Sequence, residues 1–130
     1  MPRQAVSTSG APAAIGPYSQ AIAVDGFLFC SGSLGMDPAS GELLEGIEAQ
    51  TERALLNLES VLDANGMSMA DVVKTTVFLT DLSSFAAMNG VYGRHVADPP
   101  PARSTVAVAA LPRGALIEIE LIARRSASHL

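Results

Sequence analysis

A single cysteine, no tryptophan, two tyrosines and four phenylalanines stand in this chain of 130 residues. Cys30 alone cannot close an internal disulfide, which excludes an oxidised, disulfide-stapled secreted scaffold. In an apolar strand such a cysteine acts as a small hydrophobe. Basic residues are also scarce, with 8 Lys and Arg against 13 Asp and Glu, a net charge of −5 and a pI near 4.8. A surface that neutralises phosphates needs clustered Lys and Arg, so nucleic acid is a poor partner. Long hydrophobic runs are missing: the longest, Val106 to Leu111, falls far short of the ~20 residues that span a bilayer. The segment Met1-Pro2-Arg3-Gln4-Ala5-Val6-Ser7-Thr8 lacks the apolar stretch of a secretory peptide. A soluble, cytoplasmic protein is expected.

Charge of either sign is sparse, at 16% of residues against a usual figure of about 25%. Hydrophobic residues reach 48% and the mean hydropathy is +0.31. The length suits one domain over residues 1–130, since domains typically run ~100–200 residues. So little polar cover on a small domain points to homo-oligomerisation, tempered by the abundance of alanine.

The hydrophobic period gives the order of elements. A short strand around Gln4–Ser7 precedes Tyr18–Val24, and Asp25-Gly26 is a tight-turn signal before a second hairpin strand, Phe27–Ser31. Gly32 to Glu45 reads as a turn-rich loop. From Ile47 the spacing becomes helical through Thr51, Ala54, Leu55, Leu58, Val61 and Leu62, and Asn65-Gly66 supplies the stop. Asp71–Leu79 is β-branched and reads as a central strand. A second helix, capped by Asp81 or Ser83, runs through Phe85, Met88, Val91, Tyr92 and Val96 to the break at Asp98-Pro99. Two closing strands fit Arg103–Val108 and Ala115–Ala123. The expected fold is α+β, with one sheet and both helices on one face. Its bare face must then meet another chain or leave an exposed apolar patch.

Familiar catalytic motifs are absent: no CxxC, HExxH, GxSxG or phosphate-binding glycine loop occurs. The two histidines, His95 and His129, are far apart in sequence, which argues against a zinc or nucleophile–histidine site. Polar residues in unusual places remain. Arg103 opens a strand directly behind Pro99-Pro100-Pro101-Ala102. It is either an ordinary strand-end charge or a fork that grips a carboxylate with two parallel hydrogen bonds. Glu118 and Glu120 sit two apart in an apolar strand and share one sheet face. One of them could hold a water or a proton near a ligand; the alternative is pairing with Lys74 or Arg103 across the sheet. Lys74 reads as a structural ion-pair partner rather than a Schiff-base lysine.

Six collinear blocks then become informative together: Gly16-Pro17-Tyr18-Ser19-Gln20-Ala21, Ser31-Gly32, Asp37-Pro38-Ala39-Ser40-Gly41-Glu42, Ile47-Glu48-Ala49-Gln50-Thr51, Asp71 through Leu79, and Pro100-Pro101-Ala102-Arg103-Ser104-Thr105. With Leu111-Pro112-Arg113-Gly114-Ala115-Leu116-Ile117-Glu118-Ile119-Glu120, they resemble the RidA/YjgF family from about residue 10 to 124. The resemblance implies a chorismate-mutase-like fold assembled as a barrel-like homotrimer with clefts between subunits. It also implies imine deaminase activity without metal or organic cofactor: hydrolysis of 2-iminobutanoate and 2-iminopropanoate, which protects PLP enzymes from 2-aminoacrylate.

Carried over by position, the family's site falls on Tyr18, Ser31, Gly32, Asn89, Arg103, Thr105 and Glu118. Arg103 would bind the substrate carboxylate, helped by backbone N–H groups near Ser31 and Gly32. Glu118 and the carbonyl of Thr105 would position the attacking water, Tyr18 would close the cleft, and Asn89 would support its wall. Two departures stand out: Thr105 replaces the cysteine of many members, and Ser33-Leu34-Gly35-Met36 replaces a more usual Gln-Ile-Pro-Leu. A non-catalytic binder of 2-oxo acids or other carboxylates is the competing reading. An RNA-acting protein is a third, opposed by the charge and the lack of a basic aromatic platform.

Overall fold

The structure, a computed structural model, describes residues 2–125. His129, set aside above as a ligand, lies outside them. The chain enters through β1 (Gln4–Val6), β2 (Ala21–Val24) and β3 (Phe27–Leu34), which pair antiparallel in sequence. Asp25 and Gly26 turn the hairpin with φ of 52° and 83°, the left-handed pair that matches strand twist in a two-residue turn.

Helix α1 (Ile47–Ala64) buries Thr51, Ala54, Leu55, Leu58, Val61 and Leu62, the stripe expected from the spacing. Its end is closed by Gly66 at φ 68° and by the Met67 N–H donating to the Leu62 carbonyl at 2.9 Å. Strand β4 (Val72–Leu79) follows, then α2 (Phe85–Tyr92), β5 (Ala102–Ala107) and β6 (Ile117–Arg124).

Among the described residues these make one six-stranded mixed sheet in the order β1-β2-β3-β6-β4-β5. The last strand in sequence inserts in the middle, antiparallel to β3 and β4, while β5 runs parallel to β4 at the edge. Ile117, Ile119, Leu121 and Ala123 of β6 face the helices and are essentially inaccessible to solvent. They meet Leu28, Leu55, Leu58, Leu62 and Val77 in the core. Glu118, Glu120 and Ile122 alternate onto the opposite face. There Phe29 and Val106 are 44% and 42% exposed, so the helix-free face is partly apolar, as expected.

Several boundaries differ from the expectation: β2 begins at Ala21 rather than Tyr18 and β6 at Ile117 rather than Ala115, and three others have a visible cause. Strand β3 continues past Ser31 to Leu34, because a bulge between Cys30 and Ser33 absorbs Ser31 and Gly32 and lets pairing with β6 resume. Helix α2 stops at Tyr92 rather than Val96. The N–H groups of Arg94 and His95 bond three residues back, to the carbonyls of Val91 and Tyr92, and tighten the chain into a turn. Asp81 caps a single 3-10 turn, Leu82–Ser84, that feeds α2, by accepting from the Ser83 N–H.

Candidate active site

Arg103 is the second residue of β5, in register with Thr75 of β4 and on the helix side of the sheet. Its Nη1 donates to Asn89 Oδ1 at 2.7 Å. The guanidinium carbon lies 4.8 Å from the centre of the Tyr92 ring and 5.5 Å from that of Phe85. All three neighbours belong to α2, at a spacing that puts them on one helix face. The Tyr92 hydroxyl and Thr75 Oγ1 share a buried 2.7 Å hydrogen bond. Among the described residues no carboxylate pairs with Arg103, so four of its five N–H donors are left for a ligand.

Two residues on, Thr105 Oγ1 is buried without a hydrogen-bond partner. The Val108 N–H donates to the Leu79 carbonyl at 2.8 Å, and backbone groups alternate sides along a strand. The peptide groups of Ser104 and Val106 therefore face β4, while the carbonyl of Thr105 points off the open sheet edge.

A second cluster forms around Glu118. A cavity of about 580 Å³ is bordered by Glu118, Gly32, Ser31, Tyr18 and Arg113, with apolar walls that include Ile15 and Leu58. The bulge brings Gly32 directly under the Glu118 carboxylate, so any side chain there would collide with Oε2. That close approach is why glycine occupies the position. Burial between Leu34 and Phe78, its partners on either side, pushes the Glu118 carboxyl above its usual range, and the nearby Glu120 charge adds to this. Neither Lys74 nor Arg103 pairs with it: Lys74 Nζ donates to Ser104 Oγ at 3.0 Å instead.

Ser31 is held by its neighbours. Its hydroxyl donates to the Ser19 carbonyl at 2.6 Å and its N–H to the Gln20 carbonyl at 2.9 Å, so that N–H is already engaged. Tyr18 is 53% exposed at the cavity mouth, and its hydroxyl accepts from the Ile15 N–H at 3.2 Å.

The chain thus gathers Tyr18, Ser31, Gly32 and Glu118 in one place and Asn89, Arg103 and Thr105 in another. Glu118 lies on the helix-free face and Arg103 on the helix side of the far edge. Residues 8–125 match the protein family described as Endoribonuclease L-PSP. The chain belongs to that family. RidA/YjgF proteins are among its relatives. A goat protein named 2-iminobutanoate/2-iminopropanoate deaminase is 49% identical over 122 residues, covering 93% of this chain and 89% of its own. The crystal structure of a putative endoribonuclease from Thermotoga maritima superposes with a TM-score of 0.92 at 52% identity, covering 95% of this chain and 98% of that one. The structure of E. coli TdcF with bound serine superposes at 0.90 and 39% identity, covering 95% and 99%.

Some residues of the site escaped sequence reasoning. Phe85 and Tyr92 enter the sequence reading only as apolar positions along the second helix, yet they flank Arg103; the polar Asn89 inside that apolar stripe is the available signal. Arg113 reaches the cavity because its backbone adopts φ 64° and its Nη2 donates to the Gly41 carbonyl at 3.2 Å. His95 is fastened between Glu59 Oε2 at 2.6 Å and Glu52 Oε1 at 2.7 Å. With both ring nitrogens engaged by carboxylates, it has no lone pair for a metal. Among the described residues no group of three His, Cys, Asp or Glu side chains is arranged to hold one, and no helix is long and apolar enough to cross a membrane.

Proposed function

We propose that this chain hydrolyses 2-imino acids, such as 2-iminobutanoate and 2-iminopropanoate, to 2-oxo acids and ammonia. The observation that carries the reading is Arg103, fixed by Asn89 and two aromatic rings with its remaining donors free. Such a fork matches a planar carboxylate, the one permanent charge on these substrates. The deaminase names of relatives near 49% identity support the reaction, and the serine bound to TdcF supports an amino-acid-sized ligand.

The separation of Arg103 from Glu118 supports a site completed between copies. A homotrimer using the exposed apolar sheet face would set the β5 edge of one subunit, with Arg103 and the Thr105 carbonyl, against the Glu118 cavity of the next. Water held by Glu118 and that carbonyl attacks the imine carbon, and Glu118 takes the proton. The C=N electrons pass to nitrogen, which takes the proton held by Glu118. In the carbinolamine so formed the hydroxyl proton passes through Glu118 to the nitrogen as C=O forms and C–N breaks, and ammonia leaves. A carboxyl raised above its usual range binds a proton more strongly than an ordinary carboxylate, which suits it to take one from the attacking water. Orientation supplies much of the remaining acceleration. Tyr18 closes the mouth, and Gly32 leaves room for the Glu118 carboxylate against the backbone.

In the cell this reaction would remove 2-aminoacrylate-type intermediates before they attack PLP enzymes, in a cytoplasm where a lone cysteine stays reduced. A carboxylate binder without turnover is the second reading, favoured by Thr105 at the usual cysteine position. Coupling a threonine dehydratase to the purified protein decides between them. The proposal expects imine decay to accelerate in proportion to protein added; saturable 2-oxobutanoate binding without acceleration would establish the binder. Light scattering should return about three times 13.4 kDa, and a stable monomer at micromolar concentration would remove the shared cleft.

A further inference from the structure

Arg103 is long and partly exposed, with a side chain that could sample many rotamers at the edge of a sheet. What holds its plane is therefore a separate question from what it binds. Asn89 fixes one end of the guanidinium at 2.7 Å, and a single hydrogen bond leaves rotation about it free. The Tyr92 ring lies against the guanidinium at 4.8 Å, nearer than Phe85 at 5.5 Å. Tyr92 is itself only 5% exposed, and its hydroxyl is tied to Thr75 Oγ1 at 2.7 Å. Thr75 is 1% exposed and sits on β4 in register with Arg103. The sheet, the ring and the guanidinium thus form a closed circuit: Arg103 on β5, Thr75 beside it on β4, and Tyr92 of α2 spanning the two.

We propose that Tyr92, anchored through Thr75, is a positioning residue that holds the Arg103 fork in the orientation that receives the substrate carboxylate. The inference rests on the deaminase reading above and extends it to residues that do not touch substrate. A ring face attracts a cation and restricts it to stacked orientations. The buried hydroxyl pair prevents the ring from turning with the side chain it supports. Arg103 would hold the carboxylate in ground state and transition state alike, so loosening it should weaken binding more than turnover.

The test measures steady-state kinetics in the coupled imine assay for Tyr92→Leu, Arg103→Ala and their combination, with light scattering and thermal unfolding as controls. Tyr92→Leu is expected to raise KM about tenfold with kcat within about threefold of the parent. In the Arg103→Ala background the same change should add less than about twofold, because the ring acts only through the guanidinium. A full additional loss in that background would overturn the proposal, as would an unchanged KM in a folded Tyr92→Leu protein. Because Tyr92 is buried, a second variant guards against misfolding. Thr75→Val with Tyr92→Phe removes both hydroxyls together, leaves no buried polar group unpaired and keeps the ring. It should raise KM about threefold to fivefold with kcat preserved, and an unchanged KM there would show that the anchor is irrelevant. Should Arg103→Ala itself leave the rate unchanged, the deaminase site assignment fails first, which separates the two failures.

Discussion

Replacing Arg103 by alanine removes the 2.7 Å bond to Asn89, two cation–ring contacts and the fork assigned to the substrate carboxylate. The first three losses are internal and leave only Asn89, a neutral group able to turn to water. The fourth falls on the ligand. Truncating one side of a desolvated, hydrogen-bonded charge pair costs about 2–5 kcal/mol, and a hundredfold loss of rate corresponds to ~2.7 kcal/mol. Arg103→Ala should therefore lower kcat/KM for 2-iminobutanoate at least about a hundredfold. Arg103→Lys keeps the charge but can neither stack its plane on Tyr92 nor present two parallel donors, so it too should fall well below the parent. The assay is dehydratase-coupled imine decay, run where spontaneous hydrolysis is slow, with the proposed trimer followed by light scattering. Loss of the assembly would make Arg103 a structural residue. An unchanged rate in an intact assembly would place carboxylate recognition elsewhere and refute the reasoning.

Other outcomes follow from the same geometry. Glu118→Gln should abolish most activity, at least about a hundredfold in kcat, while changing stability in the opposite sense. The folded protein holds the Glu118 proton to higher pH than the unfolded chain does, because burial and then Glu120 disfavour its charge. Stability is therefore lost as pH rises out of the ordinary carboxylate range, and the variant's Tm should exceed the parent's at pH 8 and converge with it near pH 4. His95 behaves inversely: burial opposes its charge, but the hydrogen bonds and charges of Glu52 and Glu59 outweigh it and raise its pKa. The clamp should stabilise fully below an unfolded value of about 6.5 and weaken as pH rises through the folded value. His95→Ala should thus lower Tm more at pH 6 than at pH 9. Thr105→Cys should change imine hydrolysis by less than about tenfold, ~1.4 kcal/mol; a gain of several hundredfold would mark the natural threonine protein as a poor deaminase and favour the binder.

Local pattern decided much of this molecule. The period of Ile47 through Leu62 can bury one stripe only as a helix, Asp25-Gly26 accepts the left-handed turn that a short hairpin needs, and Asn65-Gly66 closes α1 for the same backbone reason. The alternation in Ile117 through Leu121 already placed Glu118 and Glu120 together on the face opposite the core. The prolines before Arg103 and the collinear motif blocks pointed to the candidate residues of the proposed site. Tertiary structure decided what those residues meet. No local signal says that β6 must enter between β3 and β4, since that depends on which long-range pairing buries the most apolar surface. The bulge at Ser31 and Gly32 exists because β3 must rejoin β6 in register, and it alone brings Gly32 beneath the Glu118 carboxylate. His95 was an isolated histidine until α2 packed on α1 and set it between two glutamates. The distance between Arg103 and Glu118 is likewise a property of strand order, because each sits where its own strand requires and the sheet sets them on different faces.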